Sequence, residues 1–572
     1  MRDLCMTCAW TSAISYINNT TMPTQYIQQS TSIIQLVETT IRTHWNRPAF
    51  SDHAAGDPFT YAQVAKEIKL LHGYFHQLGL RQGDRIALCD RNSSRWGIAF
   101  FAAFTFGAVV VPVLFDFNGE QIVNVLTHSE SRLLICSDKT MEKIASATEQ
   151  ALPDTCTVLN IADIGNDQSP WRAAAAEQHV KLDDMKPEDV KYFTDHPDNL
   201  ALLSYTSGST GRSKGVMIPY RAIWSNTLFA DEKIGIAEGS RILSLLPMAH
   251  MYGFAFEFMY GFCLGGHVTF LTKAPSPSVL LGAFAEVRPD VVIAVPLIIE
   301  KIVRNNVFPR LRAFRMRHLL RVPFVRDIIY SKLRQRLIDV FGGRMYEVVV
   351  GGAPFSAEVE AFLKRIKFPY TVGYGMTECA PIMCYRDWKT FVKGSCGQAV
   401  PRMEVRIVSD DPAVKPGELI ARGTNVMLGY YKNDEATTET IDEEGWLHSG
   451  DLATMDSEGN VFIRGRLKNM LLGANGQNIY PEEIEDKVTS AALIDECVVV
   501  QRGEKLVALV YTSDATLQAH GMTRSDLSGE LEAYRRRING MLPGFCALSQ
   551  LEMRDEPFEK TPKHNIRRFL YS

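Results

Sequence analysis

The sequence of 572 residues lacks a charge excess, an export signal and a regular cysteine framework. Its formal net charge is −4, whereas nucleic-acid binders usually carry a strongly basic face, so we expect no nucleic-acid partner. The eleven cysteines are scattered, and their odd number without an export signal predicts reduced thiols and a cytoplasmic location. Cys5 and Cys8 have metal-like spacing, but no second pair accompanies them, so chance explains them better.

The first residues also lack the long apolar core of a signal peptide. We predict that residues 1–34 form a tail of uncertain order, in which Met22 is an alternative start. One stretch does reach membrane-spanning length, IAFFAAFTFGAVVVPVLF at residues 98–115. Gly107 divides its Ala/Phe-rich half from its β-branched half, a pattern that favours a buried helix, a tight turn and a buried strand over a membrane span.

Fixed-period repeats and low-complexity tracts are absent too, and strands alternate with helices instead. Helical segments such as residues 61–79 and 356–366 lie between short β-branched runs. These runs are residues 85–90, 132–137, 200–206, 241–247, 267–272, 291–296 and 346–352. The alternation predicts a mostly parallel sheet covered on both faces, with a ligand site beyond the carboxyl ends of the strands.

The alternation of strands and helices gives way to a different pattern after about residue 400. Residues 417–423 and 459–465 are typical of β-hairpins, and the last block contains a helix that begins at Pro481, a hairpin around Arg502–Gly503 and a helix near 525–540. We therefore predict an α/β protein. Its large N-terminal domain, residues 35–465, combines parallel-sheet α/β subdomains with a β-rich subdomain, and a small α+β C-terminal domain, residues 466–572, follows.

The stretch YTSGSTGRSKGVM at residues 205–217 follows a predicted buried strand. Its glycines allow a sharp turn that exposes backbone N–H groups, and its hydroxyls and the charge of Lys214 suit a polyphosphate. It is not a Walker loop, because Ser213 rather than glycine precedes Lys214. A flexible surface loop is the alternative, and the buried strand argues against it. The candidate nucleotide-binding residues here are Thr206, Ser207, Gly208, Ser209, Thr210, Gly211 and Lys214.

This loop resembles the phosphate loop of the AMP-forming adenylating enzymes, which include acyl-CoA synthetases, peptide-synthetase adenylation domains and luciferases. Further segments match the family in its order, from about residue 35 to the C-terminus. They are LPMAHMYGFAFEF (246–258), GGAPF (351–355), GYGMTE (373–378), WLHSGD (446–451) and RGRLKNMLLGANGQNIYPEEIE (464–485). In overall character the chain is most similar to bacterial long-chain fatty acyl-CoA synthetases.

The resemblance implies ATP, Mg²⁺ and coenzyme A as partners of the reaction. Adenosine and phosphate contacts are implied for Gly351, Gly352, Ala353, Pro354, Gly373, Tyr374, Gly375, Met376, Thr377, Asp451 and Arg466. Thr206 and Glu378 are implied to hold Mg²⁺, a hard cation that prefers carboxylate and phosphate oxygens. Catalytic roles are implied for Thr206, Lys214, His250, Glu378, Arg466 and Lys468, and Lys468 lies at the position where the C-terminal domain pivots.

The chain departs from the family near its C-terminus. Where Gly-Lys is expected, the segment EKTPKHNIRRFLY (559–571) has His564 and Asn565, and an amide cannot supply a cation's charge to the phosphorus centre. Lys563, which is two residues earlier and on the same face of an extended segment, is one substitute, and we favour it as a further catalytic residue. Lys560 or Arg567 acting from further away is the second explanation, and slow or absent adenylation is the third.

The predicted function is activation of a carboxylic acid to acyl-AMP with release of pyrophosphate, followed by transfer to CoA. A medium- or long-chain fatty acid is favoured by the family character and by an aromatic segment that either lines an apolar tunnel or forms ordinary core. Its members are Tyr252, Phe254, Phe256, Phe258, Tyr260 and Phe262. The alternatives are a ligase that loads a carrier protein, an aryl-acid ligase, a luciferase-like oxygenase and an adenylation-impaired nucleotide binder. No fused carrier domain supports the first.

Residues 310–337 are strongly basic, with nine Arg and Lys residues against one acid, Asp327. Apolar residues lie among the charges. A solvated helical hairpin packed on one face is the commoner meaning of this pattern, and peripheral contact with an anionic membrane is the other.

Overall fold

The computed structural model describes residues 22–147, 152–169, 171–172, 182, 184–206, 214–312, 314–472, 478–490, 493–503, 505–560 and 566–571. The α-helices are α1 (Gln25–Gln29), α2 (Ile33–Thr43), α3 (Tyr61–Gln77), α4 (Ser94–Phe106), α5 (Gly119–Ser129), α6 (Asp138–Ala147), α7 (Tyr220–Lys233), α8 (Met251–Gly253), α9 (Tyr260–Cys263), α10 (Pro277–Val287), α11 (Pro296–Asn306), α12 (Phe308–Arg312), α13 (Phe314–Leu319), α14 (Pro323–Val340), α15 (Ala357–Arg365), α16 (Asp434–Thr440), α17 (Pro481–Thr489), α18 (Asp514–Ala519) and α19 (Arg524–Asn539).

The strands are β1 (Pro48–Asp52), β2 (Ala55–Thr60), β3 (Arg85–Cys89), β4 (Val109–Pro112), β5 (Leu133–Cys136), β6 (Thr157–Asn160), β7 (Leu200–Thr206), β8 (Lys214–Pro219), β9 (Arg241–Ser244), β10 (His267–Phe270), β11 (Val291–Ala294), β12 (Glu347–Val350), β13 (Tyr370–Val372), β14 (Tyr374–Gly375), β15 (Ile382–Tyr385), β16 (Gln398–Ala399), β17 (Met403–Val408), β18 (Gly417–Gly423), β19 (Leu447–Met455), β20 (Val461–Arg466), β21 (Leu471–Leu472), β22 (Asn478–Ile479), β23 (Glu496–Arg502), β24 (Lys505–Tyr511) and β25 (Leu548–Arg554).

Two large sheets carry the predicted parallel strands. One has the order β13-β12-β11-β9-β10-β1-β2, with every pair parallel except β1–β2. The other has the order β6-β5-β3-β4-β7-β8, with only β7–β8 antiparallel. The four-residue strands β4, β5, β11 and β12 are buried along their whole length, which is why their sequences are almost continuously apolar.

The apolar stretch at residues 98–115 forms the predicted helix, turn and strand. Helix α4 ends at Gly107, whose φ of 84° lies in the left-handed region that favours glycine, and β4 follows directly. Within the described ranges, no helix is long and apolar enough to cross a membrane.

The β-rich and C-terminal parts also follow the sequence pattern. Strands β17 to β20 form an antiparallel sheet, and β23 and β24 form the predicted hairpin. Helix α17 begins at Pro481 as expected, and α19 occupies the predicted position near 525–540. Residues of α17, α19 and β23 to β25 share a hydrophobic core of their own, which is consistent with a small α+β unit. All nine cysteines among the described residues are unpaired and buried.

Candidate active site

A cleft of about 2680 Å³ lies at the carboxyl edge of the seven-stranded sheet and extends to the C-terminal part of the chain. The parallel strands β9, β11, β12 and β13 end at the same edge, so the segments that follow them converge there. The predicted site residues that line this cleft are Thr206, Lys214, His250, Gly352, Ala353, Pro354, Gly373, Tyr374, Gly375, Met376, Thr377, Glu378, Asp451, Arg466 and Lys468. Gly351 directly follows β12 and precedes Gly352 of the lining.

The remaining predicted site residues lie outside the described residues. They are Ser207, Gly208, Ser209, Thr210, Gly211 and Lys563. Their described neighbours are nevertheless informative, because Thr206 pairs with Lys214 across β7 and β8, so the predicted phosphate loop connects the two strands of a hairpin. Lys560 likewise bridges Ile566, and Ile566 lines the cleft.

Lys214 and Glu378 are joined through Tyr430, a residue that the sequence gave no reason to choose. The Lys214 ammonium lies 4.6 Å from the centroid of the Tyr430 ring, a distance suited to a cation–π contact. The Tyr430 hydroxyl donates to Glu378 Oε1 at 2.9 Å, and burial raises its pKa, so it remains a donor. A cation and a carboxylate thus contact one tyrosine next to the predicted phosphate loop, where β8 begins.

Glycines hold the segments after β12 and β13 close together. Gly352 has a φ of 84°, and Gly373 donates its backbone N–H to the Val350 carbonyl at 2.9 Å. Gly375 has an ordinary φ, but a Cβ there would lie 1.9 Å from the carbonyl oxygen of Pro381. This close approach leaves no room for any other residue beside Tyr374.

Asp451, the predicted ribose contact, lies between Tyr374 and Arg466. The Tyr374 hydroxyl donates to Asp451 Oδ2, and the Arg466 guanidinium lies 2.9 Å from Oδ1. Burial raises the pKa of Asp451, while the neighbouring guanidinium opposes that rise. The three predicted nucleotide contacts, although 77 and 15 residues apart in sequence (374 to 451, and 451 to 466), are therefore joined by one hydrogen bond and one ion pair.

Lys468 follows this group in a 3₁₀ turn, Leu467–Asn469. Partial burial, and then the positive charge of Arg466, lower the pKa of its ammonium group. Asn469 donates to Glu482 Oε1 at 2.6 Å and so attaches the turn to α17.

His250 lies on a segment that is held by two polar side chains, the half-buried Asn92 and the buried Glu257. Asn92 accepts from the Met248 N–H at 2.9 Å and donates to the Leu246 carbonyl at 2.6 Å. Glu257 is fully buried, and its Oε2 accepts the N–H groups of Leu245 and Leu246, each at 3.0 Å. A charged residue inside the run AFEFMY was the available signal, since buried glutamates need partners.

Of the two alternatives for the aromatic residues at 252–262, tunnel lining or ordinary core, the structure supports ordinary core for most of them. Those that form ordinary core, each at most 2% exposed, are Phe254, Phe256, Phe258, Tyr260 and Phe262. Three of them, Phe254, Phe258 and Phe262, contact Phe50, Phe100 or Phe101 of the same core. Tyr252 differs, because it lines the cleft and donates its hydroxyl to the Val349 carbonyl at 3.0 Å. The π-helix at Phe254–Met259 turns the aromatic side chains inward.

A different set of side chains makes part of the cleft apolar. They come from three helices, α10, α11 and α14, and include Leu280, Phe284, Ile298, Ile302, Leu333, Leu337 and Val340. Periodicity alone did not distinguish them from core residues, because only the packing of the three helices creates a space between them.

The described residues hold no group of three or more His, Cys, Asp or Glu side chains that could bind a metal ion by themselves. Glu378 is 9% exposed and lines the cleft with Thr206. This single carboxylate fits Mg²⁺ that is bound chiefly through nucleotide phosphates, as is common for this ion.

Sequence comparison agrees with this geometry. The model of the family described as AMP-binding enzyme matches residues 37–431, and that of the AMP-binding enzyme C-terminal domain matches residues 468–571. The chain belongs to the AMP-binding enzyme family. Relatives in this family include a long-chain-fatty-acid–CoA ligase of Escherichia coli O6:H1, 28% identical over 94% of this chain and 93% of that enzyme. A 4-coumarate–CoA ligase, CCL1 of Humulus lupulus, is 26% identical over 91% of this chain and 92% of that enzyme.

Solved structures of AMP-binding enzymes share the fold. The ATP-bound MatB of Rhodopseudomonas palustris has a TM-score of 0.73 at 22% identity, covering 93% of this chain and 97% of that one. The anthranilate CoA ligase AuaEII in complex with anthranoyl-AMP has a TM-score of 0.75 at 19% identity, covering 94% and 96%. Family and relatives support the predicted class of activity, an adenylate-forming acid–CoA ligase. The acids in the relatives' names differ.

Proposed function

We propose that the protein converts a medium- or long-chain fatty acid and ATP to acyl-AMP and pyrophosphate, and then transfers the acyl group to coenzyme A. One observation carries the proposal. The cleft that contains the predicted nucleotide contacts continues into the apolar part between α10, α11 and α14. A reaction between a nucleotide phosphate and an apolar acid needs such a combined site.

In the first half-reaction the acid's carboxylate attacks the α-phosphorus of ATP, and pyrophosphate leaves. Lys214, at the base of the phosphate hairpin, offsets the charge of the leaving pyrophosphate, and Asp451 with Tyr374 and Arg466 orients the nucleoside. When bound, Mg²⁺ supplies further positive charge at the phosphates, and Glu378 with Thr206 would hold it. His250 on its clamped segment lies near the reacting carboxylate.

In the second half-reaction the CoA thiol attacks the acyl-AMP and displaces AMP. We propose that the unit beginning at residue 466 pivots about Lys468 between the two steps and that the loop at 473–477, outside the described residues, follows it. A pivot lets one cleft serve both reactions and keeps water from the reactive anhydride. We also retain a cytoplasmic location as part of the proposal.

The apolar part of the cleft favours a fatty acid over an aryl acid. It is lined by aliphatic side chains and Phe284 from three helices, and a flexible alkyl chain gains free energy from each methylene that it buries there. Coumarate and benzoate activation remain alternatives, since relatives and solved structures with such names share the family and the fold. A carrier-protein acceptor has no supporting feature in the described residues.

The test is a product assay with ATP, CoA and a panel of acids. We expect AMP and acyl-CoA, with kcat/KM rising as the acid lengthens from six to sixteen carbons and lower values for 4-coumarate and benzoate. If the protein prefers an aromatic acid, the proposed fatty-acid substrate is wrong and an aryl acid takes its place. Absence of both ATP binding and AMP formation for every acid would overturn the whole proposal.

The substitution Leu280→Trp tests whether the acyl chain binds in the apolar part of the cleft. An indole at this position fills the apolar part of the cleft, so we expect lower kcat/KM for the sixteen-carbon acid and an unchanged value for the six-carbon acid. Ile463→Trp, also on the cleft wall but on the β-rich side, is the matched control and should not alter the ratio.

A further inference from the structure

Exposed apolar side chains occur close together in sequence from the end of α13 to the second turn of α14. Leu319, Val322, Phe324 and Ile328 are 46%, 50%, 77% and 41% exposed. Single exposed apolar residues are ordinary, but four within residues 319–328 form a patch. We name the surface formed by residues 319–332 the apolar-basic patch.

Helix α14 contributes one exposed stripe to this patch. Phe324, Ile328 and Lys332 are four residues apart and therefore lie on the same side of the helix, and all three are exposed. On α14, Leu333 and Leu337 instead line the apolar part of the cleft. The same helix thus separates the cleft from the patch.

The cleft also opens among exposed apolar residues of neighbouring helices. Leu281 of α10 is 48% exposed and Leu297 of α11 is 53% exposed, and both line the cleft. Lys301, Arg310 and Arg336 line it as well. Because α10 packs against α14, this mouth and the patch belong to one helical layer.

We propose that the apolar-basic patch docks on an anionic lipid bilayer, so that an acid dissolved in the bilayer enters the cleft at the mouth beside Leu281 and Leu297. This inference rests on the proposed fatty-acid substrate. Within the patch, Arg321, Arg326 and Lys332 outnumber the single acid Asp327 and complement a negative surface, and the apolar side chains interleaved with them are suited to the headgroup boundary. An acidic protein would match the charges but would leave the 77% exposed Phe324 at the tip unexplained.

The test uses the full-length protein and vesicles of phosphatidylcholine with or without 30% phosphatidylglycerol. We expect co-sedimentation only with the anionic vesicles. Arg321→Gln with Lys332→Gln should weaken binding about fivefold for each basic residue removed. Phe324→Ser with Ile328→Ser should weaken it about tenfold or more. The matched control is Val414→Ser with Lys415→Gln, an exposed apolar–basic pair on the β17–β18 turn, which should bind like wild type.

An activity measurement accompanies the binding. For palmitate presented in anionic vesicles, the patch variants should raise KM in proportion to their lost binding and leave kcat unchanged. For hexanoate in water both parameters should equal those of wild type, and equal melting temperatures show that the variants fold.

The outcomes separate the docking surface from the proposed function. Vesicle binding that is unchanged in both patch variants, or equal on neutral and anionic vesicles, overturns the docking surface. Binding of an acidic carrier protein through Arg321 and Lys332, without vesicle binding, also overturns it. Loss of vesicle binding in the variants of a protein that activates no acid supports the docking surface and overturns the proposed function.

Discussion

Two buried carboxyl groups in and beside the cleft, those of Asp451 and Glu257, differ in the partners that compensate them. Asp451 is buried yet accepts from Tyr374 and pairs with Arg466, so its charge is compensated before any nucleotide binds. Glu257 has no such cation, and its Oε1 has no hydrogen-bond partner among the described residues. The first arrangement suits recognition of ribose hydroxyls, and the second suits a structural acceptor that holds the His250 segment.

Lys563, which lies outside the described residues, is our proposed substitute for the catalytic lysine of the family. Lys560, the first alternative, is 2.6 Å from Glu496 Oε1, whereas the residues that follow Lys563 in sequence, 566–569, line the cleft. We expect Lys563→Ala to slow ATP–pyrophosphate exchange about 100-fold or more, because a cation at the transition state is lost. Transfer from preformed acyl-AMP to CoA should change little. Lys560→Ala is the control, and equal exchange in both variants would eliminate Lys563.

Because of Glu257, we expect the free energy of unfolding to depend on pH. Burial raises its pKa from 4.5 to about 8, so between these values the folded protein keeps a proton that the unfolded chain releases. The free energy of unfolding therefore falls as pH rises through this range, by at most about 1.4 kcal/mol per pH unit. Glu257→Gln removes this contribution, and urea denaturation at pH 6 and pH 9 should show a smaller loss than in wild type.

Glu347 provides the matched control for Glu257. It is also fully buried, and burial raises its pKa to about 8, but it lies on β12 and bonds Tyr385 instead of the His250 segment. Glu347→Gln should reduce the pH dependence of stability equally. Glu257→Leu, which removes the acceptor, should lower kcat, whereas Glu347→Leu should not, because only Glu257 positions residues 245–246. Equal kcat in the two variants would show that the Glu257 contacts do not position His250.

At the scale of the element, the predicted nucleotide contacts lie at strand ends and in tight turns. A glycine directly follows each of the strands β12 and β13, and β14 and β15 then form a hairpin that contains Tyr374 and, in its connection, Glu378. The GYGMTE pattern predicted this segment, but it did not predict that Pro381 approaches Gly375 across the hairpin. Such cross-strand approaches depend on the path of both strands, which a local pattern does not specify.

Gly375→Ala tests the close approach in this hairpin. A Cβ 1.9 Å from the Pro381 carbonyl oxygen forces the two strands apart, at a cost of about 1–3 kcal/mol. We expect a lower melting temperature and a higher KM for ATP, because Tyr374 moves with the strand. Gly529→Ala in α19, where a Cβ meets nothing within 4 Å, is the control and should leave KM unchanged. An unchanged KM in Gly375→Ala would contradict the role given to Tyr374.

Contacts between the large and small parts fix their arrangement at the scale of the whole molecule. Arg304 of α11 donates to Ser356 Oγ at 2.8 Å and to the Thr489 carbonyl of α17 at 3.4 Å. Its charge also favours the ionised form of Asp486, although burial raises the pKa of that carboxyl overall. Helix α11 lines the apolar part of the cleft, so the element that would bind the proposed substrate also contacts the small part.

Arg304→Ala tests whether this arrangement serves adenylation. Residues 566–569 line the cleft here, as expected when the C-terminal segment acts in the first half-reaction. Without the arginine this arrangement is less populated, and ATP–pyrophosphate exchange should fall about tenfold, corresponding to about 1.4 kcal/mol. Transfer of acyl groups from added acyl-AMP to CoA should fall less. Arg524→Ala, which breaks a pair within the small part, is the control. An equal loss in both half-reactions would contradict the assignment.

The sequence by itself determined seven buried strands, several helices and the strand that leads into the predicted phosphate loop, because buried parallel strands are continuously apolar and glycine-rich turns follow them. It also determined the order of the nucleotide segments, through short motifs whose chemistry is local. Only the tertiary structure decided that Tyr430 joins Lys214 to Glu378, that five aromatic residues are core, and that three helices enclose an apolar space. Those outcomes depend on side chains distant in sequence packing against each other, and an apolar residue in a cleft has the same local pattern as one in a core.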